Sequence, residues 1–443
     1  MRTLLLATAA LVTVALPQVT ACSNDDCTVT KTCPVGSSGQ GGDDTSSQGG
    51  GTTSSSQGGA TSSQGGAGGS VVDTCGNELV DAGELCFTED TLYFDIGGSE
   101  PYDILLYDCS GDDRLDVIVA QDGSQALIIM ENSGSGTFPL SATRSVVSPP
   151  VTLAIGNTSG PIQGPELIVG YTGGGYTDTN RIGAGCQITY EYPLYHTGMA
   201  GRPEVEVGDV VEGSTEEIII LHNNRIFYRG TDNMALERIL AGGPKAGLAL
   251  ADIDGDNNQD VVMVDPSVSA LEVYRTSVSS GTPYFPSAPT QALPTGTSPT
   301  DTAAGDLDGD GDADIVVTNG GGNSLSVYIN NSASGISLTK NPIDIAVGGQ
   351  PVFVKLADLD NDDDLDIIVA NYESSNDRSS LTLLLNDGIG NFVQASGSPL
   401  AIAARPLALE VADVNIDGAP DILTSSALGS GPQAQLSVIR SMP

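Results

Sequence analysis

The chain has 443 residues, of which 56 are acidic and 16 basic, and a formal net charge of −40. This balance excludes a nucleic-acid binder with a basic face and electrostatic attachment to anionic lipid, and it suits a protein that binds cations. Tryptophan is absent, and the sequence has two histidines, His196 and His222. The chain therefore offers few histidines from which to build an imidazole metal site or a Ser-His-Asp triad.

Residues 1–21 are typical of an export signal. Arg2 precedes the apolar run LLLATAALVTVAL, and small residues lead to Cys22. This ending resembles the lipobox of bacterial lipoproteins, which implies cleavage before Cys22 and acylation of that residue; the alternative is ordinary secretory cleavage nearby. Ser23, in place of aspartate, resembles lipoproteins that are passed on to an outer membrane. No other segment approaches the ~18 apolar residues of a membrane span.

Three segments separate the signal from the predicted folded domain. Residues 22–33 form a short cysteine segment, residues 34–70 a disordered linker of Gly, Ser, Gln and Thr, and residues 71–90 a short cysteine-rich module. In an exported chain the cysteines predict two local disulfides, Cys27 with Cys33 and Cys75 with Cys86. The stretch CGNELVDAGELC (75–86) resembles, loosely, a short cysteine-rich repeat of bacterial surface proteins.

The remainder of the chain repeats an acidic turn followed by an apolar run. The copy DLDGDGDADIVV (306–317) returns as DIDGDNNQDVVM (252–263), DLDNDDDLDIIV (358–369) and DVNIDGAPDILT (413–424), with a weaker relative DCSGDDRLDVIV at 108–119. The first aspartates of the four clear copies are 54, 52 and 55 residues apart. Two degenerate copies, at 155–170 and 208–221, fill the gap after residue 119, which makes seven units.

Each unit has room for four short strands separated by Gly/Asn/Ser turns. Seven such units predict an all-β fold, a seven-bladed β-propeller of four-stranded antiparallel blades over residues 91–443. The seventh unit ends one strand short, so we expect TLYFDIG (91–97) to supply its outer strand and close the ring.

The acidic turns carry oxygen ligands at positions 1, 3, 5 and 9 in the clearest copies. Position 7 varies among Asn258, Asp312, Asp364 and Ala419, and the alanine indicates a backbone carbonyl ligand there. Several carboxylates on a flexible loop predict calcium rather than magnesium, which demands stricter octahedral geometry. Position 6 is Gly311, Gly418, Asn257 or Asp363, residues that tolerate a left-handed backbone. The alternative is a solvated acidic loop without metal.

These turns resemble the FG-GAP and VCBS repeats found in the propeller of integrin α-chains. The resemblance implies calcium sites at Asp252, Asp254, Asp256 and Asp260; at Asp306, Asp308, Asp310 and Asp314; at Asp358, Asp360, Asp362 and Asp366; and at Asp413, Asn415, Asp417 and Asp421. Blade one departs from the pattern by Ser110 and Asp113, so Asp108, Asp112 and Asp116 form a weaker site. Blades two and three keep too few acids, and we expect no metal there.

Two further cysteines fall within the repeats. With Cys22 acylated and two local disulfides predicted, Cys109 and Cys186 are the remaining two cysteines, and this even number favours a disulfide between them. However, Cys109 occupies the position that is held by Ile253, Leu307, Leu359 and Val414 in the sister repeats, which indicates a buried small apolar side chain instead. The sequence leaves this question open.

Three functions fit this organisation. The first is a calcium-stabilised module on the bacterial cell surface that binds protein or glycan, as a monomer held to the membrane only by its lipid. The others are a structural spacer and a polysaccharide-active enzyme, since such propellers occur in some polysaccharide lyases and lipid hydrolases. We expect no catalytic residues. We expect the ligand on the face opposite the calcium turns, where the segment 171–185 is the longest predicted loop and offers Tyr171, Tyr176 and Arg181.

Overall fold

The computed structural model of the chain describes residues 85, 87, 91–98, 100–158, 164–173, 176–195, 201–212, 215–230, 235–279, 282–331, 335–341, 344–374, 378–402, 405–427 and 434–441. The predictions for the export signal, Cys22, the linker and the cysteines at 27, 33, 75 and 86 lie outside these residues. All regular elements in this part of the chain are β-strands. None of its segments is a helix with the length and apolarity that a membrane crossing requires.

The strands form seven antiparallel sheets, each of which is one blade. After β1 (Leu92–Asp95), blade one contains β2 (Pro101–Tyr107), β3 (Asp116–Gln121), β4 (Ala126–Met130) and β5 (Leu140–Ser145). Blade two contains β6 (Pro150–Gly156), β7 (Glu166–Tyr171), β8 (Tyr176–Gly183) and β9 (Gln187–Tyr195). Blade three contains β10 (Glu204–Gly208), β11 (Glu217–His222), β12 (Arg225–Arg229) and β13 (Ala235–Ile239).

The other four blades include small additions to the same plan. Blade four contains β14 (Ala246–Ala251), β15 (Asp260–Asp265), β16 (Ala270–Tyr274) and β19 (Gln291–Pro294), with a separate hairpin of β17 (Ser277–Ser279) and β18 (Thr282–Tyr284). Blade five contains β20 (Pro299–Gly305), β21 (Asp314–Asn319), β22 (Ser324–Asn330), β23 (Leu338–Lys340) and β24 (Ile345–Ala346). Blade six contains β25 (Pro351–Ala357), β26 (Asp366–Glu373), β27 (Arg378–Asn386), β28 (Phe392–Gln394) and β29 (Leu400–Ile402). Blade seven contains β30 (Arg405–Ala412), β31 (Asp421–Ala427) and β32 (Ala434–Ile439).

The N-terminal strand closes the ring, as the sequence predicts. The strand β1 pairs antiparallel with β32, from Leu92 opposite Val438 to Asp95 opposite Gln435, and so becomes the outer strand of blade seven. The rings of Phe94 and of Phe138 of blade one pack in a T-shaped arrangement at a centroid distance of 5.7 Å. The two ends of the described chain are thereby joined in one sheet, which leaves no open gap between the first and last blades.

The hydrophobic core lies between the blades rather than inside any one of them. Seven buried clusters each combine residues of two neighbouring blades. In β3, for example, Val117 and Val119 face blade seven, whereas Ile118 and Ala120 face blade two. Because alternate side chains enter different interfaces, the second strand of a blade is buried on both faces. This arrangement explains why these strands are continuous apolar runs after each acidic turn.

Charged side chains of the innermost strands meet around the propeller axis. Asp103, Glu206, Asp301, Lys355 and Glu410 come from five different blades but lie near enough to perturb one another's charge. The Lys355 Nζ lies 2.8 Å from Glu410 Oε1. The positive charge of Lys355 therefore interacts with several carboxylates at the centre of the ring.

Asp103, Asp301 and a further carboxylate of the axial group, Glu204, which is near enough to Asp301 and Glu206 to be affected by their charge, also join neighbouring blades. The backbone N–H of Leu153 donates to Asp103 Oδ2 at 2.7 Å, and that of Val354 donates to Asp301 Oδ2 at 3.0 Å. In the same way, Leu248 N donates to Glu204 Oε2 at 2.9 Å. Burial raises the pKa of Asp103 to about 7, of Glu204 to about 8 and of Asp301 to about 6.

These shifts predict that the calcium-free chain is more stable in mild acid than at neutral pH. A carboxyl whose folded pKa lies above its unfolded value of about 4 binds its proton more readily in the folded state. The resulting stabilisation is complete below about pH 4 and is lost as the pH rises through about 6 to 8. We expect the melting temperature in chelator to fall between pH 6 and pH 8, measured by circular dichroism.

The variant Glu204→Gln separates the contribution of an axial carboxyl to the pH dependence of stability from the contributions of other titrating groups. The amide retains an acceptor for Leu248 N–H but does not titrate, so the fall in melting temperature across this pH range should become shallower. The matched substitution Glu237→Gln, on the exposed outer strand of blade three, should leave the pH profile unchanged. A wild-type melting temperature that stays level or rises from pH 6 to pH 8 contradicts the prediction.

Candidate metal centres at the acidic turns

The first aspartate of each acidic turn organises the turn itself. In blade five, Gly309 N donates to Asp306 Oδ1 at 2.8 Å and Gly311 N donates to Asp306 Oδ2 at 2.9 Å. The same type of bond is made by the first aspartates of the other acidic turns, Asp108, Asp252, Asp358 and Asp413. Position 6 has the predicted left-handed backbone, with φ of 92° at Gly311 and 64° at Asn257. These bonds fold the backbone of the turn around its first carboxylate.

The closing acid of each turn connects two strands of the blade. In blade five, Leu307 N donates to Asp314 Oδ2 and Asn330 N donates to Asp314 Oδ1, both at 2.7 Å. Asp116, Asp260, Asp366 and Asp421 make the equivalent pairs of bonds. In blades two and three, Glu166 accepts from Thr158 N and Glu217 from Val210 N. The closing acid thus has a structural role in every blade, which explains its presence where the other ligands are missing.

Three turns gather carboxylates as a cation site would. One oxygen from positions 1, 3 and 9 lies within 4.8 Å of the others in blades four, five and six. The groups are Asp252, Asp254 and Asp260; Asp306, Asp308 and Asp314; and Asp358, Asp360 and Asp366. The acids at positions 5 and 7 are not in these groups. Asp310 Oδ1 instead accepts a hydrogen bond from Asp312 N, and Asp362 Oδ1 accepts one from Asp364 N, both at 3.0 Å.

The carboxylate at position 3 has the environment that a metal ion would satisfy. Asp360 is 2% exposed, and its Oδ1 has no hydrogen-bond partner among the described residues. Burial, followed by the charge of Asp366, raises the pKa of Asp360 to about 7. A buried carboxylate that has an oxygen without a partner and lies among like charges is unfavourable unless a cation is added. An oxygen-only donor set of this kind fits calcium.

The candidate sites lie at the interfaces between blades. Gly335, in the turn between β22 and β23 of blade five, donates its N–H to the Asp254 carbonyl of blade four at 3.0 Å. Similarly, Gly309 of the blade-five turn lies beside the carbonyl of Gly388 in blade six. An ion held by one blade would therefore also order the contact with the next blade.

The turns of blades one and seven lack an acid at position 3, which is Ser110 in blade one and Asn415 in blade seven. In blade one, Arg114 at position 7 forms an ion pair with Asp112 at 3.3 Å. Hydrogen bonds from Gly111 and Asp113 outweigh burial and lower the pKa of Asp108. In blade seven, Asn415 Oδ1 accepts from Asp417 N at 2.9 Å. Among the residues that the structure describes, neither turn brings the oxygens of three acids as close together as the turns of blades four to six do.

Asparagines that the sequence analysis missed link neighbouring turns. The side-chain amide of Asn330 donates to the Ile253 carbonyl of blade four at 2.8 Å, and Asn386 donates to the Leu307 carbonyl of blade five at 2.8 Å. Asn132 makes the same bond to Val414 across the closure of the ring. The sequence feature that could have identified them is an asparagine at the end of the third strand, directly before a glycine-containing turn.

At the interface of blades one and two, a disulfide and a backbone hydrogen bond take the place of the asparagine link. The structure joins Cys109 and Cys186, and Cys186 N donates to the Cys109 carbonyl at 3.0 Å. Cys109 is 4% exposed, so the expectation of a buried side chain and the expectation of a bridge are both met. The apolar position 2 of one turn lies against the next blade, which is why a cysteine there can be buried and still find a partner.

The prediction that residues 171–185 form a long loop is wrong, because most of this segment belongs to two strands. Tyr171 ends β7 with 1% exposure, and its hydroxyl donates to Asp178 Oδ2 at 2.8 Å. Tyr176 and Arg181 lie within β8, where the Tyr176 ring is 5.1 Å from that of Tyr171 and Arg181 pairs with Glu191. The strand was missed because its buried residues, Thr177 to Asn180, are polar and follow three glycines. Tyr171 is a core residue.

Comparison with known proteins identifies the architecture and then the repeats. The fold is that of a β-propeller: residues of this chain superimpose on BBS1N, in a crystal structure of its complex with ARL6DN, with a TM-score of 0.53 at 12% identity, covering 81% of this chain and 97% of that one. Virginiamycin B lyase from Staphylococcus aureus superimposes with a TM-score of 0.50 at 13% identity, covering 79% and 99%. The FG-GAP-like repeat family matches residues 252–317, 306–369 and 358–424. The chain thus carries FG-GAP-like repeats in three consecutive stretches; no curated protein matches it in sequence.

Proposed function

We propose that this protein is a binding module of the bacterial cell envelope, anchored by lipid on Cys22 and stiffened by calcium, whose ligand is a protein or a glycan. A β-propeller with FG-GAP-like repeats fits a protein-binding module. The calcium assignment is supported by the grouped carboxylates of blades four to six. We propose no catalytic residue, because the first and closing acids of the turns and several of those at the axis are engaged in bonds that hold the turns and the blades together.

The observation that carries the binding role is a pair of arginine–tyrosine stacks on the rim opposite the acidic turns. The Arg202 guanidinium lies 3.5 Å from the centroid of the Tyr102 ring, and that of Arg405 lies 5.5 Å from the Tyr372 ring. Both arginines are exposed and precede or begin an innermost strand. Stacked arginine and tyrosine present stiff area with polar tips, which suits a contact surface.

The test is a screen of the calcium-loaded full chain on a glycan array and against a displayed protein library, followed by titration of the recovered ligand. We expect Tyr102→Ala with Arg202→Ala to weaken binding at least tenfold, as truncation of contact residues does. The control replaces Arg238 and Tyr284, a matched stack of 4.9 Å on the outer side of blades three and four. A screen that recovers nothing supports the structural spacer instead, and equal losses in both variants contradict the assignment to this rim.

The anchor has its own test. Several acyl chains hold a protein firmly to a membrane, whereas one holds it only marginally. We expect Cys22→Ser to move the protein from the membrane fraction to the soluble fraction, measured by ultracentrifugation of cell lysates. A variant that remains with the membranes refutes anchoring through Cys22.

A further inference from the structure

The acidic turn of blade four differs from its neighbours because an arginine lies in it. The Arg275 guanidinium forms ion pairs with Asp254 through Nε and with Asp256, whose Oδ2 lies 3.2 Å from its second amino group. The Asp254 side chain is fully buried, whereas 47% of the Arg275 side chain is exposed. The guanidinium therefore reaches from the surface to the position-3 carboxylate, where a metal ion would also bind.

The corresponding residues in blades five and six are apolar. Each follows the residue at which the pairing of the third strand with the second strand ends: Arg275 follows Tyr274, Ile329 follows Tyr328 and Leu385 follows Leu384. These three partners pair with Val261, Ile315 and Ile367, the residues directly after the closing aspartates. In blade six no cation has this place, and Asp360 Oδ1 is without a partner among the described residues. Besides Asn258 at position 7, where blades five and six have Asp312 and Asp364, the turns of these blades thus differ in the side chain at this register position.

We propose that Arg275 is a built-in competitor of calcium, which makes the blade-four site weaker than the sites of blades five and six and frees the arginine when the ion binds. This inference rests on the proposed calcium role. The guanidinium pairs with two of the turn's carboxylates and offsets one of their negative charges, so an incoming divalent ion must first displace it. It does not complete the site, because Asp254 Oδ1 still has no hydrogen-bond partner among the described residues although Asp254 is 4% exposed. The turn is therefore neutralised in part but remains able to bind an ion.

A weaker second class of sites should follow. Blade seven belongs with blade four, because Arg440 follows Ile439, which pairs with Ile422, at the same register position. Blade seven also replaces two of the acids with Asn415 and Ala419. Breaking a half-exposed arginine–carboxylate pair costs on the order of a tenfold change in affinity. We therefore expect two tight calcium ions, in blades five and six, and two bound about tenfold more weakly.

Reciprocal substitutions test the proposal by calorimetric titration of the full chain with calcium chloride. Arg275→Ile gives blade four the residue of blade five and should add one ion to the tight class. Ile329→Arg gives blade five the residue of blade four and should remove one ion from the tight class. Arg275→Lys, which keeps a positive charge, should leave the tight class at two. Circular dichroism of each variant in excess calcium checks that the fold is retained.

The outcomes separate this proposal from the proposed function. If the wild-type chain binds calcium but Arg275→Ile leaves the number of tight ions unchanged, the competition by Arg275 is refuted and the calcium role stands. If the wild-type chain binds no calcium, both are refuted. A gain of one tight ion in Arg275→Ile together with a loss of one in Ile329→Arg supports the competition.

Discussion

Removing calcium is expected to lower the melting temperature of the full chain by on the order of 10 °C or more. An ion that binds only the folded state stabilises it by about 2.7 kcal/mol per site at a hundredfold excess over the dissociation constant. Each kcal/mol corresponds to about 2–4 °C for a domain of 150–250 residues. With four or five ions predicted, the combined effect on this ring is large, and melting curves in calcium and in chelator measure it directly.

A single ligand substitution shows whether the acidic turns are responsible. Asp360→Asn removes the charge of the buried position-3 ligand of blade six, so it should lose one tight ion and part of the calcium-dependent rise in melting temperature. The control is Asp363→Asn, which removes a charge from the exposed position 6 of the same turn. Identical melting curves with and without chelator in the wild-type chain would falsify the metal assignment.

The largest effect expected from one substitution outside the turns is at Lys245. This side chain is fully buried, and its Nζ lies 2.7 Å from both Asp265 Oδ2 and Glu272 Oε2. The hydroxyl of Tyr274 also donates to Glu272 Oε2, at 2.6 Å. Lys245→Met leaves two buried carboxylates without their counter-ion, which costs about 3–5 kcal/mol. Equilibrium unfolding in urea, with calcium in excess, measures the loss of stability.

An exposed ion pair of the same kind is the control. Lys340 pairs with Asp344 at 2.8 Å, but both side chains remain partly in water. Lys340→Met should cost less than about 1 kcal/mol, because solvent screens such pairs. Adding Asp265→Asn and Glu272→Gln to Lys245→Met should recover part of the stability by removing the uncompensated charge. Equal costs for Lys245→Met and Lys340→Met would mean that burial does not strengthen the first pair.

The acidic turns and the number of blades could be predicted from the sequence because the relevant bonds are local. Asp306 accepts from residues three and five positions later, and Asp314 accepts from Leu307 seven positions earlier. Such short separations leave a regular spacing of aspartates in the sequence. The degenerate blades two and three were also recognisable, because Glu166 and Glu217 retain the closing bond even though other ligands are lost.

The loop at 171–185 was misjudged because local polarity indicated exposure. Thr177 and Thr179 are fully buried in β8, although such residues usually indicate a solvated segment. Their burial depends on the neighbouring strands of the blade, which a pattern of polar and apolar residues along one segment does not include. For the same reason Tyr171 is a core residue and not a ligand contact, whereas the contact of Tyr176 and Arg181 with a ligand stays a prediction.

By itself the sequence determined the repeated turn, the all-β blades and the supply of an outer strand by residues 91–97. Only the tertiary structure decided which groups from different blades meet: Cys109 with Cys186, 77 residues apart, and Asn132 with Val414, 282 residues apart. It also placed Arg275 on Asp254 and brought the axial carboxylates around Lys355. A turn forms from bonds between near neighbours in the chain, so its residues can be recognised as a pattern within a short stretch of sequence. Contacts between blades exist only after the ring has closed, because closure alone brings residues so distant in sequence within bonding distance.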